Sequence, residues 1–97
     1  MARGPEGKFQ DTVCAWLRRK GCRVIKNDPT TGRQKGIPDV TFFKDGFWGM
    51  MEFKASKRAK HQPGQDDWIL WSNESSWGKF VYPECWDDVK EELEQML

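Results

Sequence analysis

The 97-residue sequence lacks the features that define several large protein classes. No apolar run approaches the roughly 20 residues that a membrane-spanning helix needs, so we expect no membrane partner. Residues 1–6 are too polar for a secretory signal peptide. These two absences predict a soluble, intracellular protein of the cytoplasm.

Soft metal ligands are also scarce. Cys14, Cys22 and Cys85 are an odd number of cysteines without paired spacing, which argues against a disulfide framework and a zinc knuckle. We expect them to be buried or half-buried thiols. His61 is the single histidine, so a histidine-rich metal site is excluded. Repeats and low-complexity stretches are absent as well, and the length predicts one domain, residues 1–97, with one core.

The net charge of +1 conceals two oppositely charged halves. Residues 1–61 contain fourteen Lys or Arg and six Asp or Glu, whereas residues 62–97 contain two and nine. A basic half favours a polyanionic partner such as nucleic acid. Two faces that neutralise each other, within a monomer or between subunits, would give the same composition, so charge alone favours nucleic acid only modestly.

Hydrophobic periodicity and turn residues predict seven elements. These are a helix at 5–21, strands at 22–26, 38–43 and 47–53, a helix at 65–73, a strand at 79–82 and a helix at 83–97. Asp45-Gly46 predicts a tight hairpin between the second and third strands. The order α-β-β-β-α-β-α predicts an α/β fold with a small mixed sheet flanked by helices.

Charged side chains lie where the second predicted strand begins and where the third one ends. Glu52 and Lys54 lie two residues apart on one strand, so their side chains share a face while Phe53 enters the other. The hairpin brings the strand of Asp39 alongside, and two carboxylates and one ammonium converge at one sheet edge. Hydrolysis of a phosphodiester needs a polarised phosphate and an acidified water, which a hard divalent cation on carboxylate oxygens supplies.

We therefore predict that Asp39 and Glu52 bind the cation, with the backbone carbonyl of Phe53 as a third oxygen. Lys54 is predicted to position the attacking water or to stabilise charge on the phosphate. Taken alone, Glu52 and Lys54 fit a solvated salt bridge equally well. Their combination with Pro38, Asp39 and the intervening hairpin favours a site that cuts nucleic acid.

The segment Gly36-Ile37-Pro38-Asp39, followed by Glu52-Phe53-Lys54, resembles the signature of the PD-(D/E)XK nuclease superfamily. Within it, the chain is similar to the small, stand-alone, virus-type VRR-NUC domains, and next to archaeal-type Holliday junction resolvases. The resemblance covers nearly the whole chain. It implies a restriction-endonuclease-like αβββαβ core, here with a C-terminal helix, and a DNA endonuclease that depends on Mg²⁺ or Mn²⁺.

The resemblance also implies roles for individual residues. Asp39 and Glu52 would bind metal, and Lys54 would assist the nucleophile. Glu6 would add a carboxylate from the first helix to the metal site, and Gln65 would be the helix glutamine near the active site. Each addition has a plainer interpretation, because Glu6 suits the positive end of a helix dipole and Gln65 suits a polar helix start.

Two basic loops bracket the predicted site and are expected to contact DNA phosphates. Their candidate contacts are Thr30, Thr31, Arg33, Lys35, Lys57, Arg58, Lys60 and His61. For each of these taken singly, a solvated loop side chain is the plainer interpretation. Two such loops around one acidic cluster favour a DNA-binding surface.

Six tryptophans are many for this length. We expect Trp16 and Trp68 in the core. The four others are candidates for a dimer interface, with stacking on unpaired bases as the alternative: Trp48, Trp71, Trp77 and Trp86.

The leading hypothesis is a Mg²⁺- or Mn²⁺-dependent endonuclease that recognises DNA shape rather than sequence. The resemblance implies a homodimer suited to paired cuts in branched DNA, such as a Holliday junction. The alternatives are a nuclease for nicked, flapped or single-stranded DNA, and a DNA-binding module without catalysis. A small free-standing nuclease of this type fits a virus or mobile element acting in a host cell.

Overall fold

The elements occur in the order that the sequence predicts. A computed structural model describes residues 5–27 and 35–97, with side chains from residue 7 onward. The helices are α1 (Pro5–Arg19), α2 (Gln65–Ser75) and α3 (Trp86–Met96), and the strands are β1 (Arg23–Lys26), β2 (Val40–Lys44), β3 (Phe47–Phe53) and β4 (Gly78–Val81). A 3₁₀ turn at Pro83–Cys85 leads into α3. The α/β class and the C-terminal helix are confirmed.

The four strands form one mixed sheet in the order β1-β2-β3-β4. β2 pairs antiparallel with β1 and β3, whereas β3 and β4 are parallel. The β2–β3 hairpin turns at Asp45 and Gly46, which both have positive φ values, 49° and 86°. That is the conformation of a two-residue hairpin that follows the strand twist. Parallel β3 and β4 need a crossover, which α2 supplies.

One face of the sheet carries the core. α1 and α3 pack there against alternating strand residues, and the cluster includes Val13, Leu17, Val40, Phe42, Met51, Phe53, Val81, Val89 and Leu93. The other face carries α2, which packs against β3 and β4 and buries Ile69 and Ser72. Gly78 permits this approach, because a Cβ there would lie 1.8 Å from Oγ of Ser72.

The second strand is shorter at its start than predicted. The sequence places its beginning at Pro38, but β2 begins at Val40. Pro38 has no amide hydrogen for a strand ladder. Asp39 bonds to β3 through its side chain instead of its backbone. The two residues before β2 are therefore held in place without being part of the strand.

The tryptophan predictions are correct for some positions and wrong for others. Trp16 is buried in the core, as predicted. Trp77, predicted at an interface, is also buried there, and its indole N–H donates to Glu92. It precedes Gly78, which faces α2, so strand alternation turns Trp77 to the core face. Trp68, predicted in the core, is only partly buried, and Trp86 packs edge-on against Trp16 with ring centroids 5.3 Å apart.

The cysteines match their predicted role. All three are free thiols, buried at Cys14 and Cys22 and partly buried at Cys85. Burial raises the pKa of the Cys14 and Cys22 thiols. They are therefore neutral at physiological pH and behave as small apolar groups.

No helix in the described ranges is long and apolar enough to cross a membrane.

Candidate active site

Asp39 directly precedes β2, and Glu52 lies on the neighbouring strand β3, at the same end of the sheet. Val40 pairs with Met51, so the same register extended by one residue places Asp39 opposite Glu52. Side chains in such cross-strand positions are about 5 Å apart at Cβ. Oδ2 of Asp39 accepts a hydrogen bond of 2.9 Å from the peptide N–H of Phe53. This bond fixes the Asp39 carboxylate against the strand that carries Glu52.

Asn27 holds the same segment from the β1 side. Its side-chain amide donates to the carbonyl of Pro38 at 2.9 Å and to the hydroxyl of Thr41 at 3.1 Å. Its peptide N–H donates to the carbonyl of Asp39 at 2.8 Å. Asn27 was not among the predicted site residues. The available signal was an asparagine directly after a strand, where its amide commonly bonds nearby backbone.

Lys54 is buried, with 7% of its surface exposed, and its ammonium is hydrogen-bonded. Nζ donates to Oε1 of Gln65 at 2.7 Å and to the carbonyl of Lys60 at 3.1 Å. Oε1 of Gln65 also accepts from the peptide N–H of Gln62 at 2.8 Å. A buried ammonium is costly unless it is bonded in this way. Lys54 is therefore a fixed charge, not the solvated edge residue that its sequence pattern alone allowed.

Glu52 is buried as well, with 4% exposed. Its register partner on β4 is Phe80, and Gly78 two residues earlier faces α2, so Glu52 lies on the α2 face of the sheet. The structure thus brings Asp39, Glu52, Lys54 and Gln65 together where β3 ends and α2 begins. Gln65, which only the resemblance implied, lies in direct contact with Lys54.

The two basic loops contact each other through glycine backbones. Gly36 and Gly64 have φ values of +79° and +88°. A Cβ at Gly36 would lie 2.5 Å from the carbonyl carbon of Gly64 and 2.8 Å from the nitrogen of Gln65. The indole N–H of Trp68 donates to the carbonyl of Lys35 at 3.2 Å. Lys35 is therefore held beside the start of α2, next to the Lys54–Gln65 pair.

Exposed cations surround this end of the sheet. They are Lys35, Lys57, Arg58 and Lys60. Within residues 5–27 and 35–97 none of the four takes part in an ion pair. Cations without internal carboxylate partners are available to anions from solution.

His61 lies against the candidate site. Its ring stacks on Phe80, the register partner of Glu52, with centroids 3.9 Å apart and planes inclined by 17°. Nδ1 lies 2.8 Å from Oδ1 of Asp66. A cavity of about 540 Å³ opens here, lined by residues 60–64, 66 and 67. His61 was predicted only as part of a basic loop; its stack on Phe80 was not predicted, because a long-range ring stack leaves no signal in local spacing.

Several predicted residues lie outside the described part of the chain. Glu6 is in the first turn of α1, but its side chain is not among those described, and residues 28–34 contain Thr30, Thr31 and Arg33. Their roles stay predictions, as does the role of the Phe53 carbonyl.

Two carboxylates are the donors available to the predicted cation. Among the described residues, no group of three or more His, Cys, Asp or Glu is arranged to hold a metal ion. Mg²⁺ in proteins commonly takes one or two carboxylates and completes its shell with water and phosphate oxygens. Asp39, directly before β2, and Glu52, on β3, would supply the two carboxylates.

Comparison with known proteins adds no relative. A scan against protein-family models found no match, and searches of curated proteins and of solved structures found none either. The functional assignment therefore depends on the residues and their geometry.

Proposed function

We propose that the protein is a divalent-metal-dependent DNA endonuclease of the PD-(D/E)XK type that acts as a homodimer on branched DNA. The observation that carries the proposal is the buried Lys54 ammonium, which Gln65 holds near the carboxylates of Asp39 and Glu52. Buried charged side chains are rare outside paired or functional sites. The αβββαβ order and the parallel β3–β4 pair support the corresponding core.

Each residue has a distinct task in this reaction. Asp39 and Glu52 would hold Mg²⁺ or Mn²⁺, which polarises the scissile phosphate and acidifies water when bound. An ammonium has three N–H donors, and Gln65 and Lys60 accept from Lys54. The third donor would orient the attacking water or a phosphate oxygen.

The surrounding cations bind the DNA backbone. Lys35, Lys57, Arg58 and Lys60 are exposed around the site, and contacts of this type are made with phosphates of any sequence. Such binding weakens steeply with salt. It positions a duplex without reading bases, which supports recognition of DNA structure rather than sequence.

A panel of labelled DNAs tests the proposed reaction. A four-way junction, a nicked duplex, a flap, a single strand and a linear duplex are incubated with Mg²⁺, Mn²⁺ or EDTA. We expect metal-dependent, symmetric paired nicks in the junction. Preferential cutting of the flap or the single strand would overturn the branched-junction substrate but would still support metal-dependent cleavage of DNA. No cleavage of any DNA with either metal would leave a binding module and end the nuclease proposal.

Two variants test the metal ligands. Asp39→Ala and Glu52→Ala should abolish cleavage and leave DNA binding intact or tighter, because each removes a carboxylate that faces the phosphate. Asp88→Ala is the matched control, since Asp88 is an exposed carboxylate on α3. Normal cutting by Asp39→Ala or Glu52→Ala would show that the site is assigned to the wrong residues.

A further inference from the structure

Exposed apolar side chains gather on the sheet face that carries α2. In the described ranges, the exposed large apolar residues are Ile25, Phe43, Leu70, Trp71 and Met96. Ile25 and Phe43 alternate with Val24 and Phe42 of the core, so they face the α2 side, where Leu70 and Trp71 also lie. Scattered exposed apolar residues are ordinary, but a contiguous group marks an interaction surface.

The strand register makes this group continuous. Phe43 pairs with Trp48, and Ile25 is the diagonal neighbour of Phe43. The ring centroid of Trp48 lies 5.5 Å from that of Trp71, which lies 5.8 Å from that of Trp68. α2 packs on β3 and β4, while the exposure of Ile25 and Phe43 leaves the β1–β2 half open. The result is an apolar corner between α2 and the open half of the sheet.

The two sides of the corner differ in charge. Asp67, Leu70, Trp71 and Glu74 follow the spacing i, i+3, i+4 and i+7, and all four are exposed on the outward face of α2. This stripe is apolar at its centre and acidic at both ends. On the open half of the sheet, exposed Arg23 pairs in register with Phe43. One side is thus acidic and apolar, and the other is basic and apolar.

A largely apolar cavity lies beside Asp67 on the acidic side. It measures about 300 Å³ and is lined by Asp67, Trp68 and Trp71. A carboxylate beside indole rings binds a guanidinium through an ion pair and a cation–π contact. Arg23 is an exposed guanidinium on the same face of the molecule. The open β1–β2 half that carries Arg23 and the cavity beside Asp67 are complementary parts of one surface.

We propose that this surface is the interface with a second copy of the chain. In a two-fold arrangement, α2 of each copy lies over the open β1–β2 half of the other, and Arg23 of each enters the Trp68–Trp71 cavity of the other. Both complementary halves belong to one face of one chain, so a two-fold axis forms the contact twice. Nucleic acid is a poorer occupant, because Asp67 and Glu74 would repel its phosphates.

Asp67 lines both the interface cavity and the cavity beside His61, but the apolar centre of the interface lies away from the acidic pair. Phe43 lies four residues along β2 from Asp39, which is about 13 Å. α2 begins at the site with Gln65 and ends beyond Trp71. Asp39 and Glu52 therefore lie outside the proposed contact. The inference shares the homodimer with the proposed function and does not depend on the nuclease chemistry.

Sedimentation equilibrium of the full chain at micromolar concentration tests the interface. The wild type should have the mass of a dimer. Leu70→Glu should weaken the dimer by about 100-fold, because it adds a charge to the apolar centre of an acidic stripe. Met96→Glu is the matched control, since Met96 is exposed to a similar degree (48% against 60%) but lies on α3 across the sheet. Far-UV circular dichroism confirms that each variant is folded, and Ile25→Glu replaces Leu70→Glu if that variant is not.

A mixing experiment tests the reciprocal contact. Arg23→Glu and Asp67→Arg should each be monomeric alone, because each homodimer would oppose like charges twice. An equimolar mixture of the two variants should form a heterodimer, since every contact then joins opposite charges. A monomeric wild type, a dimer that survives Leu70→Glu, or a mixture that stays monomeric would overturn the interface. A dimer with these properties that cuts no DNA would keep the interface and end the proposed function.

Discussion

Gln65→Leu tests whether the site requires a fixed Lys54 ammonium. Oε1 of Gln65 accepts from Nζ of Lys54 at 2.7 Å and from the peptide N–H of Gln62 at 2.8 Å. Leucine is similar in size and favours helix, but it has no acceptor. In the described part of the chain, the buried ammonium then keeps the carbonyl of Lys60, at 3.1 Å, as its acceptor.

The expected effects follow from that lost bond. A hydrogen bond to a charged group contributes about 1.5–3 kcal/mol, so the free energy of unfolding should fall by about 2 kcal/mol. In a domain of this size, that lowers Tm by roughly 8–16 °C. The lysine is still present but less well oriented, so the single-turnover cleavage rate should fall by about 10- to 100-fold. The affinity for DNA should change little.

Urea unfolding followed by tryptophan fluorescence measures the stability, and single-turnover cleavage at saturating DNA and Mg²⁺ measures the rate. Gln62→Leu is the control, because Gln62 contributes its peptide N–H while its side chain is exposed. It should match the wild type within about twofold. A wild-type rate for Gln65→Leu would refute the reasoning. A loss confined to DNA affinity would instead place Gln65 in the binding surface.

Three further perturbations address separate parts of the molecule. Gly36→Ala should lower both Tm and the cleavage rate, because φ is +79° and the added Cβ would lie 2.5 Å from the carbonyl carbon of Gly64; unchanged thermal unfolding would contradict this contact. Lys57→Ala with Arg58→Ala should reduce the slope of log affinity against log salt by about 1.8, and an unchanged slope would exclude both from the phosphate surface. Burial tends to raise the pKa of Glu92, but bonds from an indole and an ammonium outweigh it and hold the pKa below its ordinary value of 4.5. The stabilisation is therefore present above that value and is lost as pH falls through the folded pKa, so Glu92→Gln should flatten the loss of stability on acidification. Urea titrations across the acid range check this, and a curve parallel to that of the wild type would contradict it.

The acidic pair was predictable because a two-residue turn sets the register of a hairpin. With Asp45 and Gly46 in the turn, Lys44 pairs with Phe47, and each step back along β2 advances one residue along β3. Five steps lead to Asp39 opposite Glu52. Local sequence therefore contained both the identity of these residues and their meeting point.

The supports of the site were not predictable in the same way. The carbonyl of Lys60 bonds Lys54 because the loop folds back over β3, and any residue type would supply that carbonyl. Gly36 meets Gly64 through backbone atoms, which leave no hydrophobic pattern. Trp77 was predicted at an interface, but it lies directly before β4 and is buried in the core.

α2 reaches from the candidate active site to the proposed interface. One substitution on this helix can therefore remove dimerisation and leave the cleavage chemistry in place. Because α2 crosses from the end of β3 to the start of β4, its first turn lies at the site and its later turns lie at the opposite end of the sheet. Leu70→Glu changes an exposed side chain beyond the Lys54–Gln65 contact, so each monomer should keep its cleavage chemistry and lose its partner. On a supercoiled plasmid with an extruded cruciform, such a monomer should accumulate nicked circles, whereas the wild type and Met96→Glu should produce linear DNA by paired cuts. Linear product from Leu70→Glu at the wild-type rate would show that paired cutting does not need this interface.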